Sequence, residues 1–144
     1  MPTHAEKKIL PYTAQQMFDL VADVERYPEF LPWCTACRIT GRDGNVLTAD
    51  LTVGFGPLHE TFTSRVVLDA SANRIAVEYL QGPFKYLNNT WQFADRPKSR
   101  CEIDFFIDFE FRNSLLQKMM TAVFGEAVRR MIKAFEDRAA VVYR

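Results

Sequence analysis

Apolar and polar residues alternate with a period of two from Cys34 to Arg112, and from Ser114 to Tyr143 the spacing lengthens to three and four. The first pattern predicts half-buried strands and the second an amphipathic helix. Alternating runs lie at Leu47–Phe55, Leu58–Leu68, Ile75–Tyr79, Leu87–Phe93 and Cys101–Phe111. Turn signals separate them at 42–45, 54–57, 70–73, 82–84 and 96–99, which is hairpin spacing. A further short strand fits residues 4–10. Thr13 with Gln16 forms a capping-box signature for a first short helix, and Asp23 suits the cap of a second, bounded by Pro28 and Pro32. In the last stretch Leu116, Met120, Val123, Ala127, Met131 and Phe135 mark one face, and Ser114 with Gln117 predicts its cap. The expected class is α+β. A seven-stranded antiparallel sheet curls around one long C-terminal helix, with two short helices between strands 1 and 2.

A parity argument places one end of this sheet. Alternate turns of a meander lie at opposite ends. The turns at 42–45, 70–73 and 96–99 are polar and share one end. Those at 54–57 and 81–86 share the other, together with the segment 27–34 and the passage from Phe111 into the long helix. Apolar side chains gathered there suggest the mouth of a cavity. A curved sheet gripping one helix leaves room unless large side chains fill it, and Met and aromatic residues suit an adaptable lining. The expected lining and mouth residues are Phe30, Leu31 and Trp33 before the meander, and Leu51, Val53, Phe55 and Phe62 in its first half. Phe84, Leu87, Trp91, Phe93, Phe105, Ile107 and Phe109 follow in its second half. Met119, Met120, Val123, Phe124 and Ala127 come from the helix.

Length and charge narrow the picture. A chain of 144 residues is expected to form one domain over 1–144. The 18 basic and 18 acidic residues cancel, so there is no overall electrostatic footprint for DNA. No secretory leader or membrane span is read at the N-terminus or elsewhere. Three cysteines, an odd count, suggest reduced thiols and a cytoplasmic protein.

Catalytic signals are weak. Cys34 and Cys37 have redox-pair spacing, but they lead into a strand and lack the helix N-terminus that stabilises a thiolate. His59 and Glu60 are strand neighbours that point to opposite faces. Glu60, Glu78 and Asp104 read as solvated strand positions, since buried unpaired carboxylates are costly. No metal motif stands out, and nothing argues for an enzyme.

The segments Pro11–Val21 and Asp23–Cys34, with its run YPEFLPWC, carry a resemblance. So do Gly82-Pro83-Phe84, Trp91-x-Phe93, the run DFEF at Asp108–Phe111, and Ala134-Phe135-Glu136-x-Arg138-Ala139. Together they resemble the coenzyme Q-binding START family, within the polyketide cyclase and lipid-transfer superfamily and its helix-grip fold. The resemblance implies one of two roles. The first is non-enzymatic binding of ubiquinone, a hydrophobic small molecule, in support of respiration. No cofactor is required, and transient contact with the inner face of the membrane is expected. The second is a toxin-like protein that binds the large ribosomal subunit. Trp33 stands where the quinone branch tends to have Trp and the toxin branch Gly, which favours the quinone. Asn88, Asn89, Thr90 and Gln92 are candidates to meet a polar head near the mouth. Arg129, Arg130 and Lys133 are candidates for a basic ribosome-facing surface, although i,i+4 pairing with Glu126 and Asp137 reads more simply as a solvated face.

Overall fold

A computed structural model describes residues 3–55 and 58–143, without the side chains of residues 55 and 58. The chain runs β1 (Thr3–Leu10), α1 (Ala14–Ala22), a 3-10 helix (Val24–Glu29), β2 (Cys34–Asp43), β3 (Val46–Phe55) and β4 (Leu58–Asp69). A short 3-10 turn at Ala70–Ala72 leads to β5 (Arg74–Gln81), β6 (Phe84–Arg96), β7 (Arg100–Phe111) and α2 (Ser114–Val142). The sheet order is β1-β7-β6-β5-β4-β3-β2, with every neighbouring pair antiparallel. This is the helix-grip fold expected from the sequence. The first strand closes on the last, with Thr3 opposite Asp108 and Leu10 opposite Cys101. Helix α1 and the 3-10 segment then carry the chain across to the far edge.

Turn chemistry fixes the hairpins. Gly44 takes a positive φ of 61° in the tight link between β2 and β3, and Asn73 adopts a left-handed φ of 49° after β4. Thr13 and Gln16 cap α1 reciprocally: the Gln16 N–H donates to Thr13 Oγ1 at 3.1 Å and the Thr13 N–H to Gln16 Oε1 at 2.9 Å. Met17, Leu20 and Val21 are buried beneath this helix, and Phe18 meets the edge of Phe93.

Three local expectations are corrected. Asp23 stands at the N-cap position of the 3-10 helix but makes no side-chain cap bond, and it pairs with Arg26 instead. Pro28 lies inside that helix rather than at its edge. Helix α2 is capped by Asn113, not Ser114. Asn113 Oδ1 accepts the Leu115 and Leu116 N–H groups at 2.9 and 3.2 Å. Gln117 Oε1 turns back to accept the Phe111 N–H at 2.7 Å, tying the end of β7 to the first turn of α2. Asn113→Ala is expected to cost about 1 kcal/mol, read as a lower urea midpoint at unchanged slope.

The buried stripe of α2 is Phe124, Val128, Ile132, Phe135 and Ala139. These lie against the concave face of the sheet. The turns before Phe124 contain no fully buried residue, and Leu115 and Met119 are 66% and 39% exposed. The helix therefore grips the sheet along its C-terminal part, and its N-terminal part overhangs the hollow. Phe135 anchors the packed part. Its ring lies 5.4 Å from Tyr27, 5.2 Å from Phe30 and 5.2 Å from Trp91.

Candidate functional site

The inward positions of β3 to β7 face α2 across a cavity of about 270 Å³. The sheet contributes Ala49, Leu51 and Val53 from β3, Phe62, Ser64 and Val66 from β4, and Ile75 and Val77 from β5. Leu87, Asn89 and Trp91 come from β6, and Ile107, Phe109 and Phe111 from β7. Helix α2 supplies Met120, Phe124, Ala127, Val128, Met131 and Phe135. Val24, Tyr27, Leu31, Trp33, Cys37 and Phe84 complete the wall.

Two backbone hydrogen bonds hold the mouth together. The Gly54 N–H donates to Trp33 O at 2.9 Å, joining the entry segment to the end of β3. The Arg112 N–H donates to Pro83 O at 2.9 Å, joining the β5–β6 turn to the start of α2. Within that turn Gly82 has φ 146°, and a Cβ there would fall 2.6 Å from Phe62 Cβ. Only glycine permits this approach, which seats Phe84 edge-on to Phe62 at 5.4 Å.

Of the residues expected around the cavity, Leu31, Trp33, Leu51, Val53, Phe62, Phe84, Leu87 and Trp91 line it. So do Ile107, Phe109, Met120, Phe124 and Ala127. Others lie elsewhere. Phe30 packs on Tyr27 and Phe135 from behind, under the Arg138 guanidinium at 5.2 Å from its ring. Phe93 and Phe105 are buried in the core, against Phe18 and Trp91 respectively. Met119 points outward on the overhanging turn, and Val123 is half-buried beside the lining. The Phe55 side chain lies outside the described residues.

The polar candidates on β6 separate by strand parity. Asn89 shares the inward face with Leu87 and Trp91, whereas Asn88, Thr90 and Gln92 have the opposite parity. Gln92 Nε2 donates to Ala72 O at 2.6 Å outside the cavity. Asn89 Nδ2 donates to Phe106 O at 2.9 Å. Sequence reasoning missed Ser64. It occupies an inward position between Phe62 and Val66, and is 5% exposed. Its Oγ is the buried side-chain polar atom without a hydrogen-bond partner among the described residues. A polar residue in the apolar phase of a strand was the available signal.

No carboxylate, lysine, arginine or histidine lines the cavity among the described residues. Glu78 pairs with Arg65 at 3.2 Å, and Asp104 lies 4.0 Å from Lys7. Among the described residues no cluster of His, Cys, Asp or Glu could hold a metal. The Tyr27 hydroxyl donates to Val21 O, and burial pushes its phenol well above the ordinary range.

Burial likewise pushes the thiols up from an ordinary 9.0, to about 11 at Cys34 and Cys101 and about 12 at Cys37. Thiolate chemistry at neutral pH is therefore disfavoured. The linkage has a definite sign. Above pH 9 the unfolded thiols ionise while the folded ones hold their protons, so stability falls as pH rises from about 9 towards 12. Urea unfolding at pH 8 and pH 10.5 checks this. The Cys34→Ser, Cys37→Ser, Cys101→Ser triple variant should lose less stability between the two.

The cavity's form has known parallels. Residues 10–136 match the family model described as polyketide cyclase/dehydrase and lipid transport. The ribosome association toxin RatA of Pseudomonas aeruginosa is 38% identical over 144 residues, covering 99% of both chains. The mitochondrial coenzyme Q-binding protein COQ10 homolog B of Xenopus laevis is 32% identical over 97% of this chain and 59% of its own length. The Streptomyces aromatase/cyclase Zhui superposes with a TM-score of 0.89 at 19% identity, over 99% of this chain and 96% of its own, which is a likeness of fold. By the match over residues 10–136 and the full-length identity, the chain belongs to the polyketide cyclase/dehydrase and lipid-transport family, in the group that holds the ribosome association toxins and the coenzyme Q-binding proteins.

Proposed function

We propose that the chain binds a polyisoprenoid quinone, ubiquinone in the first place, in the cavity between sheet and α2, and serves respiration as its carrier or chaperone. The observation that carries this reading is an apolar hollow of about 270 Å³ whose polar side-chain features, among the described residues, are uncharged or weakly acidic. Left empty, an apolar void loses dispersion partners at ~24 cal/mol per Å³. A hollow of this size therefore favours an apolar occupant. Each buried methylene of an isoprenoid contributes ~0.8 kcal/mol. A dozen such carbons contribute about 10 kcal/mol, comparable with the roughly 4–15 kcal/mol lost on immobilising a ligand.

The cavity is at the small end of ligand pockets, so it suits a ring head with the first isoprenoid units. The remaining tail leaves through the mouth, where exposed Leu115 and Met119 flank it. That edge is the surface we assign to transient membrane contact. Both tryptophans of the chain, Trp33 and Trp91, line the cavity, so intrinsic fluorescence reports on occupancy. A short-chain ubiquinone is expected to quench it saturably at one site. Quenching that rises linearly without saturation would reject the reading.

The full-length 38% identity to ribosome association toxins supports a second reading, binding to the large ribosomal subunit. The candidate basic residues on α2 are already engaged. Arg129 and Arg130 share Glu126 at 3.2 and 3.1 Å, and Lys133 pairs with Asp137 at 3.1 Å. Co-sedimentation with large subunits at two salt concentrations tests it, since binding through phosphates weakens steeply with salt. Charge reversal at Arg129, Arg130 and Lys133 is expected to leave quinone quenching unchanged.

A further inference from the structure

The polar groups inside the hollow carry the next step, which rests on the proposed ligand reading. Ser64 is buried, faces an otherwise apolar wall, and its hydroxyl has no partner among the described residues. Its cross-strand neighbours are Ala49 on β3 and Tyr79 on β5. The Tyr79 hydroxyl is itself occupied, accepting the Phe84 N–H at 3.0 Å. Most buried hydroxyls are satisfied, because an unmade hydrogen bond in an apolar setting costs free energy. Here the residue stands in the wall of the space a ligand would fill. Its hydroxyl, which shows almost no surface as it stands, reaches that space by turning to another staggered rotamer about Cα–Cβ.

Asn89 faces the same space from β6. One N–H of its amide is spent on Phe106 O, and its carbonyl oxygen and second N–H remain for an occupant. The register Ser64↔Tyr79, Val66↔Val77 and Val77↔Asn89 sets the two residues two strands and two positions apart. In a flat sheet that is about 12 Å between Cα atoms, and a concave sheet brings the side chains closer. A flat ring fits between two such groups. Both lie midway along their strands, several residues in from the Phe84 mouth.

We infer that Ser64, helped by Asn89, is the polar anchor of the cavity. It donates a hydrogen bond to a ring carbonyl of the occupant, and so selects an oxygenated head over plain isoprenoid hydrocarbon. The ligand enters head first, with its tail directed past Trp33 and Phe84.

Three proteins test this by tryptophan quenching: the native chain, Ser64→Ala and Ser64→Thr. The probes are a short-chain ubiquinone and, by competition, a saturated isoprenoid hydrocarbon of equal carbon number. Ser64→Ala should weaken quinone binding by roughly tenfold, as loss of one hydrogen bond to a buried acceptor implies. Its hydrocarbon affinity should be nearly unchanged. Ser64→Thr, which keeps the hydroxyl, should restore most of the quinone affinity. Without ligand, Ser64→Ala should melt about 2–4 °C higher, because an unsatisfied buried hydroxyl has been removed.

Equal weakening for both probes would mean that Ser64 acts by packing alone and overturn the anchor. Unchanged quinone affinity, or a lower melting point for ligand-free Ser64→Ala, would overturn it too while leaving quinone binding intact. A native chain that binds neither probe overturns the ligand reading itself, and the anchor with it.

Discussion

Phe135→Ala is expected to lower the unfolding free energy by about 3–5 kcal/mol, the usual range for removing a fully buried aromatic ring. Phe135 is 1% exposed and meets Tyr27, Phe30 and Trp91, each edge-on. These contacts join the 3-10 segment, β6 and α2, the three parts that close around the cavity's inner end. The loss is a large share of a typical 5–15 kcal/mol stability. Chemical denaturation checks it at once. A cost below about 1 kcal/mol would mean the helix is not locked to the sheet at this point.

The second large effect concerns the hollow. Ala127 lies on the cavity face of α2, beside Phe124, Val128 and Met131. Ala127→Phe places a ring in the space assigned to the ligand. Quinone binding should fall by more than tenfold, since displacing the head forfeits well over 1.4 kcal/mol. Stability should hold steady or rise, because the added ring fills a void rather than crowding a packed core. A variant that binds as before would place the ligand elsewhere. A variant that unfolds would show that the space is already filled by side chains.

How much of this was readable beforehand depends on the kind of signal. Strand order and the long helix follow from periodicity, which is local and survives folding unchanged. The grouping of Trp33, Phe84 and the β7–α2 junction at one end follows from parity. Gly54 is bonded to Trp33 and Arg112 to Pro83, and Trp33, Phe84 and Phe111 line one cavity. The cap of α2 was misplaced by one residue. Asn113 and Ser114 are both good caps, and Gln117 was free to bond the Phe111 N–H instead of closing a box on Ser114.

Depth was harder to read. Phe93 and Phe105 have the same inward parity as Trp91 and Ile107, yet they face α1 and the packed core rather than the hollow. Parity gives the face of a sheet. It does not say which element covers that face at each row. Met119 failed for a related reason, since the first turns of α2 pass beyond the sheet and leave it half in water. Ser64 was legible as an exception, a hydroxyl in the apolar phase of β4, but its lack of a partner needed coordinates.

The central claim is that an apolar, uncharged hollow holds a quinone. Protein purified from a ubiquinone-containing host, washed free of detergent and extracted with organic solvent, tests this by mass spectrometry. Ubiquinone should be recovered in near-stoichiometric amount from the native chain and be largely absent from Ala127→Phe prepared in parallel. Extracts of native protein that repeatedly lack quinone, or equal recovery from both proteins, would contradict the account.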